Sequence, residues 1–163
     1  MSEKAKESKF NFKNFDEYRE WLDAAPNKDW LQTRSLGGSK SHSFIPVFIQ
    51  NANSDFMFRE WYVIDEKYIP IQNGVLCIVK IQALPDYPDA EHIIFTGSAG
   101  IPFKDVKNAV EFDVPNSRER AIAKAFATLG NVFGRNLNRK YKYNNKTIVV
   151  QSDFSFLNKK SDE

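Results

Sequence analysis

Basic residues crowd one stretch of this sequence. Between positions 118 and 146 stand Arg118, Arg120, Lys124, Arg135, Arg139, Lys140, Lys142 and Lys146, with Glu119 as the single acid. The whole chain of 163 residues carries only +2, so the remainder is net acidic. Guanidinium and ammonium groups gathered this way attract polyanions. The same composition also describes a solvated basic face followed by a lysine-rich tail, and charge alone does not separate the two.

Other chemistry is sparse. His42 and His92 lie in different segments, and neither stands at metal-ligand spacing with Asp, Glu or Cys. Cys77 is the only cysteine, which leaves no internal disulfide, and beside Ile78 it reads as a core residue. No serine occupies a GxSxG setting. The segment LGGSKSHS (36–43) lacks the glycine before lysine and the preceding apolar strand of a phosphate loop. Asp65, Glu66, Asp86 and Asp89 fall where turns are expected, and turns favour acids without any metal. The expectation is a protein with no catalytic site, metal or cofactor. The polar start MSEKAKESKF has no apolar signal core, and no run of 18 apolar residues occurs. A cytoplasmic location is expected.

The elements that must position the basic residues follow from periodicity. Residues 1–12 read as a disordered arm, 13–152 as one domain and 153–163 as a loose charged tail. Asn14 and Glu17 form a capping-box start for a short helix through Leu22, with Trp21 and Leu22 facing the core and Pro26 as the stop. A loop-rich passage around Gly37-Gly38 follows. Residues 44–58 read as a helix opened by Pro46, with Ile49, Ala52 and Phe56 on one face. Their apolar density also suits a strand. EWYVIDEKYIPI and VLCIVKIQAL are strand-like runs flanking Asn73-Gly74, a type I′ hairpin signal. Pro85 and Pro88 mark the next turn, and AEHIIFTGSAGIPF supplies a third strand. After a connector, Asn116 caps a long helix with Glu119 at the capping-box position and Asp113 just upstream. TIVVQ (147–151) is a further possible strand. The predicted architecture is α+β: a three-stranded antiparallel meander with a long helix across it, preceded by short helices.

Read at 100° per residue, the long helix has three surfaces. Ile122, Phe126, Leu129, Phe133 and Leu137 form an apolar stripe for the sheet. Arg120, Lys124, Thr128, Asn131, Arg135, Asn138 and Arg139 form a face without any acid, although solvated faces usually mix signs. Ala123, Ala127, Gly130 and Gly134 align as a groove of small residues, where close packing would offset the roughly 1 kcal/mol that each glycine costs a helix. That groove serves packing within the chain or a contact between subunits.

These residues carry a resemblance. The order Trp30-Leu31, Arg34, Gly37-Gly38, Phe44-Ile45, then Asn53, Phe56 and Trp61, resembles the opening of the single-strand annealing proteins. That group includes the Rad-fifty-two recombination proteins, the phage Sak proteins and, more distantly, Redβ and Erf. Asn73-Gly74 falls where the family turns, and Gly97-Ser98-Ala99-Gly100 resembles its glycine-bearing third strand. AIAKAFATLGNVFGRNLN (121–138) is similar to its helix motif, and FGRNLNR looks like the phage branch. The resemblance covers roughly residues 26–140.

The resemblance implies a β-β-β-α core and an activity without ATP: binding single-stranded DNA and annealing complementary strands in recombination and repair. It implies a phage or prophage recombinase, assembled as a ring or helical filament in a bacterial host. An exonuclease or a single-strand-binding protein would be a working partner. Lys124 matches a basic family position on the helix, whereas Ala123 departs from the family's basic pair. Val47 stands where another basic residue is expected. The DNA path is then expected to use Arg118, Arg120, Arg135, Arg139, Lys140 and Lys142, with Arg34 and Lys40 near the glycine loop.

Overall fold

The computed structural model describes residues 9–35, 37–38, 41–105 and 107–137. Helix α1 (Phe15–Asp23) starts as its sequence dictates. The Asn14 side chain accepts from the Glu17 N–H at 2.9 Å, and the Glu17 carboxylate accepts from the Lys13 N–H at 2.7 Å. Tyr18 is its buried residue, while Trp21 is partly exposed and Leu22 packs at the margin of the core. Phe12, assigned from sequence to the arm, is buried against Tyr18, Trp21 and Phe56.

The passage read as loop is a hairpin. β1 (Gln32–Ser35) and β2 (Ser41–Phe44) pair antiparallel, with Arg34 opposite His42. Gly37 and Gly38 both take left-handed φ, 95° and 61°, which lets so short a connection reverse. Their alternation is too brief and too polar to announce strands.

Helix α2 (Val47–Met57) follows Pro46, which sits just before the first helical residue. Its buried face is rotated by about a third of a turn from the one expected. Gln50, Asn53, Ser54 and Met57 point inward, whereas Ala52 and Phe56 are exposed and Ile49 is half-buried. Two of the inward polar groups have partners: Ser54 Oγ donates to the Gln50 carbonyl and Gln50 Nε2 to the Ala123 carbonyl, each at 2.8 Å.

β3 (Phe58–Ile71), β4 (Gly74–Pro85) and β5 (Ile93–Pro102) form the expected antiparallel meander, in the order β3-β4-β5. Central β4 alternates strictly, with Val75, Cys77, Val79, Ile81 and Ala83 buried on one face. The β3–β4 turn is not type I′. Its two central residues are Gln72 and Asn73, and only Asn73 has positive φ, 53°. Gly74 is instead the first residue of β4, opposite Pro102, where a side chain would meet the Ile101 carbonyl.

Helix α3 (Val114–Ala127) lies across the buried face. It begins two residues before Asn116, emerging from a π-helical turn (Ala109–Asp113), so Asn116 caps nothing. Asp113 instead accepts from the Lys104 N–H at 3.2 Å. Gly97 of β5 permits the crossing: an added Cβ would stand 2.7 Å from the Ala125 Cα. Phe126 is the hub of the core, with ring centroids 4.9 Å from Trp61, 5.3 Å from Phe95, 5.4 Å from Phe133 and 5.7 Å from Phe58.

The helix ends at Ala127 and not at Asn138. Gly130 is fully extended (φ −170°, ψ 169°), and Gly134 is left-handed (φ 88°) after a 3-10 turn over Asn131–Phe133. The two glycines therefore break the helix that their neighbours' periodicity would prolong. Gly130 fits against the Leu22 carbonyl of α1, so the small-residue line is divided between two contacts within the chain. Phe133 is buried as expected, but from the 3-10 turn. Leu137 is half-buried and faces a groove, not the sheet.

Candidate functional site

The groove lies between the β1–β2 hairpin, the start of α2, one flank of α3 and the turn over 131–137. It encloses about 620 Å³. Three cations line it: Arg34 from β1, and Arg120 and Lys124 one helical turn apart on α3. His42 and Asn116 add polar groups, while Phe44, Ile45, Val47 and Leu137 supply apolar walls. Among the described residues no carboxylate lines the groove, and none of the three cations forms an ion pair.

The floor is held from beneath. Gln50, only 5% exposed, donates through Nε2 to the Ala123 carbonyl at 2.8 Å and the Phe133 carbonyl at 3.4 Å. One side chain thus ties α2, α3 and the 131–133 turn together. Ala123 and Ala127 keep the α3 wall low between the cations. Gly134 faces the Ile45 side chain at the far rim, 3.4 Å from where its Cβ would be.

The sequence-predicted cations divide. Arg34, Arg120 and Lys124 converge on the groove. Arg118 points to the opposite flank of α3, where its Nε donates to Glu66 of β3 at 2.7 Å and Nη1 lies 3.6 Å from Glu119. The Glu66 contact raises its already high pKa further. Arg135 turns back along the chain, its Nη2 donating to the Thr128 carbonyl at the end of α3. A cation there suits the negative end of the helix dipole. Lys40, Arg139, Lys140 and Lys142, the TIVVQ strand and the tail lie outside the described residues.

Sequence reasoning missed His42, Gln50 and Asn116 as groove residues. His42 was recoverable: once Gly37-Gly38 is read as a hairpin, His42 falls opposite Arg34. Gln50 was not, because a buried glutamine on an apolar-looking helix carries no periodic signal.

Elsewhere, His92 Nε2 lies 3.0 Å from Glu60. Cys77 is fully buried, and burial pushes its thiol pKa up. Both have structural surroundings. Among the described residues no group of three His, Cys, Asp or Glu side chains is placed to hold a metal, and no helix is long and apolar enough to cross a membrane.

The groove is lined by three cations, by the polar His42, Ser43, Gln50 and Asn116, and by apolar side chains. What it offers is positive charge at fixed spacing above a partly apolar floor. Such surfaces hold phosphates while leaving bases accessible. No protein-family model matches the chain, and a search of curated proteins found no match.

Proposed function

We propose that this protein binds single-stranded DNA in the groove and anneals complementary strands without ATP, as a phage or prophage recombination protein in the cytoplasm of a bacterial host. The observation that carries the reading is the groove in which Arg34, Arg120 and Lys124 converge with no carboxylate among the described residues that line it. The ordered motifs from Trp30 to Asn138 support it, as does the β-β-β-α core they share with the annealing proteins. Phosphate contacts release counterions and fix the strand. Pairing energy then comes from the DNA itself, so no catalytic residue is required. A ring or helical filament of identical subunits would let one strand run through successive grooves. Phe48, Val110 and Phe112, which are 69%, 80% and 60% exposed, are candidate contacts for such an assembly.

Stopped-flow annealing of complementary oligonucleotides tests the proposal. Annealing faster than in the absence of protein, and slowed as salt rises, is expected. Binding without acceleration would reduce the function to a coat for single strands. No salt-sensitive binding would point to an adaptor without a nucleic-acid role.

A further inference from the structure

The chain has two histidines, and they stand in different surroundings. His92 has a carboxylate partner, Glu60, 3.0 Å from its Nε2, and does not line the groove. His42 is half-buried in β2 and does line it. Among the described residues its ring has no hydrogen bond and no ion pair.

The register places His42 directly opposite Arg34 of β1. Opposite residues of an antiparallel pair share one face, with Cβ atoms about 5 Å apart. Guanidinium and imidazole therefore border the same stretch of the groove. The titratable groups that line the groove with His42 are Arg34 from β1 and Arg120 and Lys124 from α3. The start of α2 and the turn over 131–137 contribute none to the lining, and no carboxylate does among the described residues. Two like charges at opposite positions repel. An anion between them makes both contacts attractive, and a protonated imidazole donates from both ring nitrogens.

We propose that His42 is a proton-gated phosphate contact of the groove: a bound strand draws a proton onto its imidazole, so the site engages one more phosphate in acid than in alkali. The proposal rests on reading the groove as the binding site for single-stranded DNA. An imidazole ordinarily exchanges its proton near pH 6.5. Binding that favours the charged form takes up a proton. Affinity then climbs as pH falls and levels off once the free ring is itself charged. Each phosphate neutralised on a single strand adds about 0.7 to the salt slope, which at 0.1 M salt is about fivefold in affinity.

Fluorescence anisotropy of the full-length protein with a labelled oligothymidylate tests it, because thymine does not titrate between about pH 5.5 and 8. For the native protein, affinity at 0.1 M salt should rise about fivefold from pH 8 to 5.5, and the salt slope should steepen by about 0.7. His42→Gln should keep the native affinity at pH 8 and lose both changes. His42→Arg should also be flat with pH, at the higher affinity that the native protein reaches in acid. His92→Gln should retain the native pH dependence. Calorimetric titration in two buffers of different ionisation enthalpy reads the proton itself: the native protein should take up part of a proton per groove near pH 6.5, and His42→Arg none. That pair of measurements carries the test if His42→Gln does not fold. Affinity and salt slope that ignore pH in the native protein would overturn the proposal, as would a pH dependence that survives both His42 substitutions or vanishes in His92→Gln. Each of these leaves strand binding in the groove standing. No oligonucleotide binding at any pH would overturn both readings together.

Discussion

The Gln50 side chain donates to the Ala123 carbonyl at 2.8 Å, joining α2 to α3 directly beneath Lys124. This bond, between residues far apart in sequence, sets the floor of the cationic groove.

Gln50→Ala should therefore lower stability and loosen the groove together. Loss of a buried donor that serves two carbonyls should cost about 1–3 kcal/mol. Urea denaturation measures that, and fluorescence anisotropy with a labelled oligonucleotide should show weaker binding in the folded variant. Unchanged stability would mean that the turn over 131–133 holds its place without Gln50.

The double variant Arg120→Glu with Lys124→Glu should weaken single-stranded DNA binding by about tenfold or more. The salt slope of log K should become shallower by roughly 0.7 for each phosphate that is no longer neutralised. Its melting temperature should stay close to that of the native protein, because neither residue has an ion pair among the described residues. Arg118→Ala serves as the contrast. It breaks a surface pair with Glu66 worth about 1 kcal/mol or less, and should leave DNA affinity nearly unchanged. Equal losses of affinity in the two variants would move the DNA path off the groove.

Gly130→Ala separates a helical from an extended backbone by sign. Inside a helix the change would stabilise by about 1 kcal/mol. Here Gly130 is extended against the Leu22 carbonyl, and a methyl group has no room. Destabilisation by about 1–3 kcal/mol is expected, read as a lower midpoint in thermal or urea unfolding.

Cys77 makes stability fall at alkaline pH. Burial holds its folded pKa above the unfolded one, so the unfolded chain loses the proton first. The contribution is fully present below about pH 8.5 and is lost as pH rises toward the folded value. Urea midpoints from pH 7 to 10 should therefore decline, and the decline should be shallower in Cys77→Ala. Tyr18, whose pKa burial also raises, continues the trend at higher pH.

The three strands of the meander, their order and the face of α3 on the sheet were legible from the chain alone. Val75, Cys77, Val79, Ile81 and Ala83 alternate, and Ile122 and Phe126 repeat at helical spacing, because burial of one face imposes those periods locally. Arg120 and Lys124 were legible for the same reason, since a basic face one turn apart is a local pattern. Tertiary structure alone decided the rest. It turned α2 so that Gln50 faces inward, because the carbonyls of Ala123 and Phe133 wait there. It ended α3 at Ala127, because Gly130 must pass Leu22 and Gly134 must turn left-handed. It sent Arg118 to Glu66 and Arg135 to the Thr128 carbonyl, leaving Arg34, from a hairpin far back in the chain, to complete the groove. Local periods record which face is buried; they carry no record of which distant group is waiting on the other side.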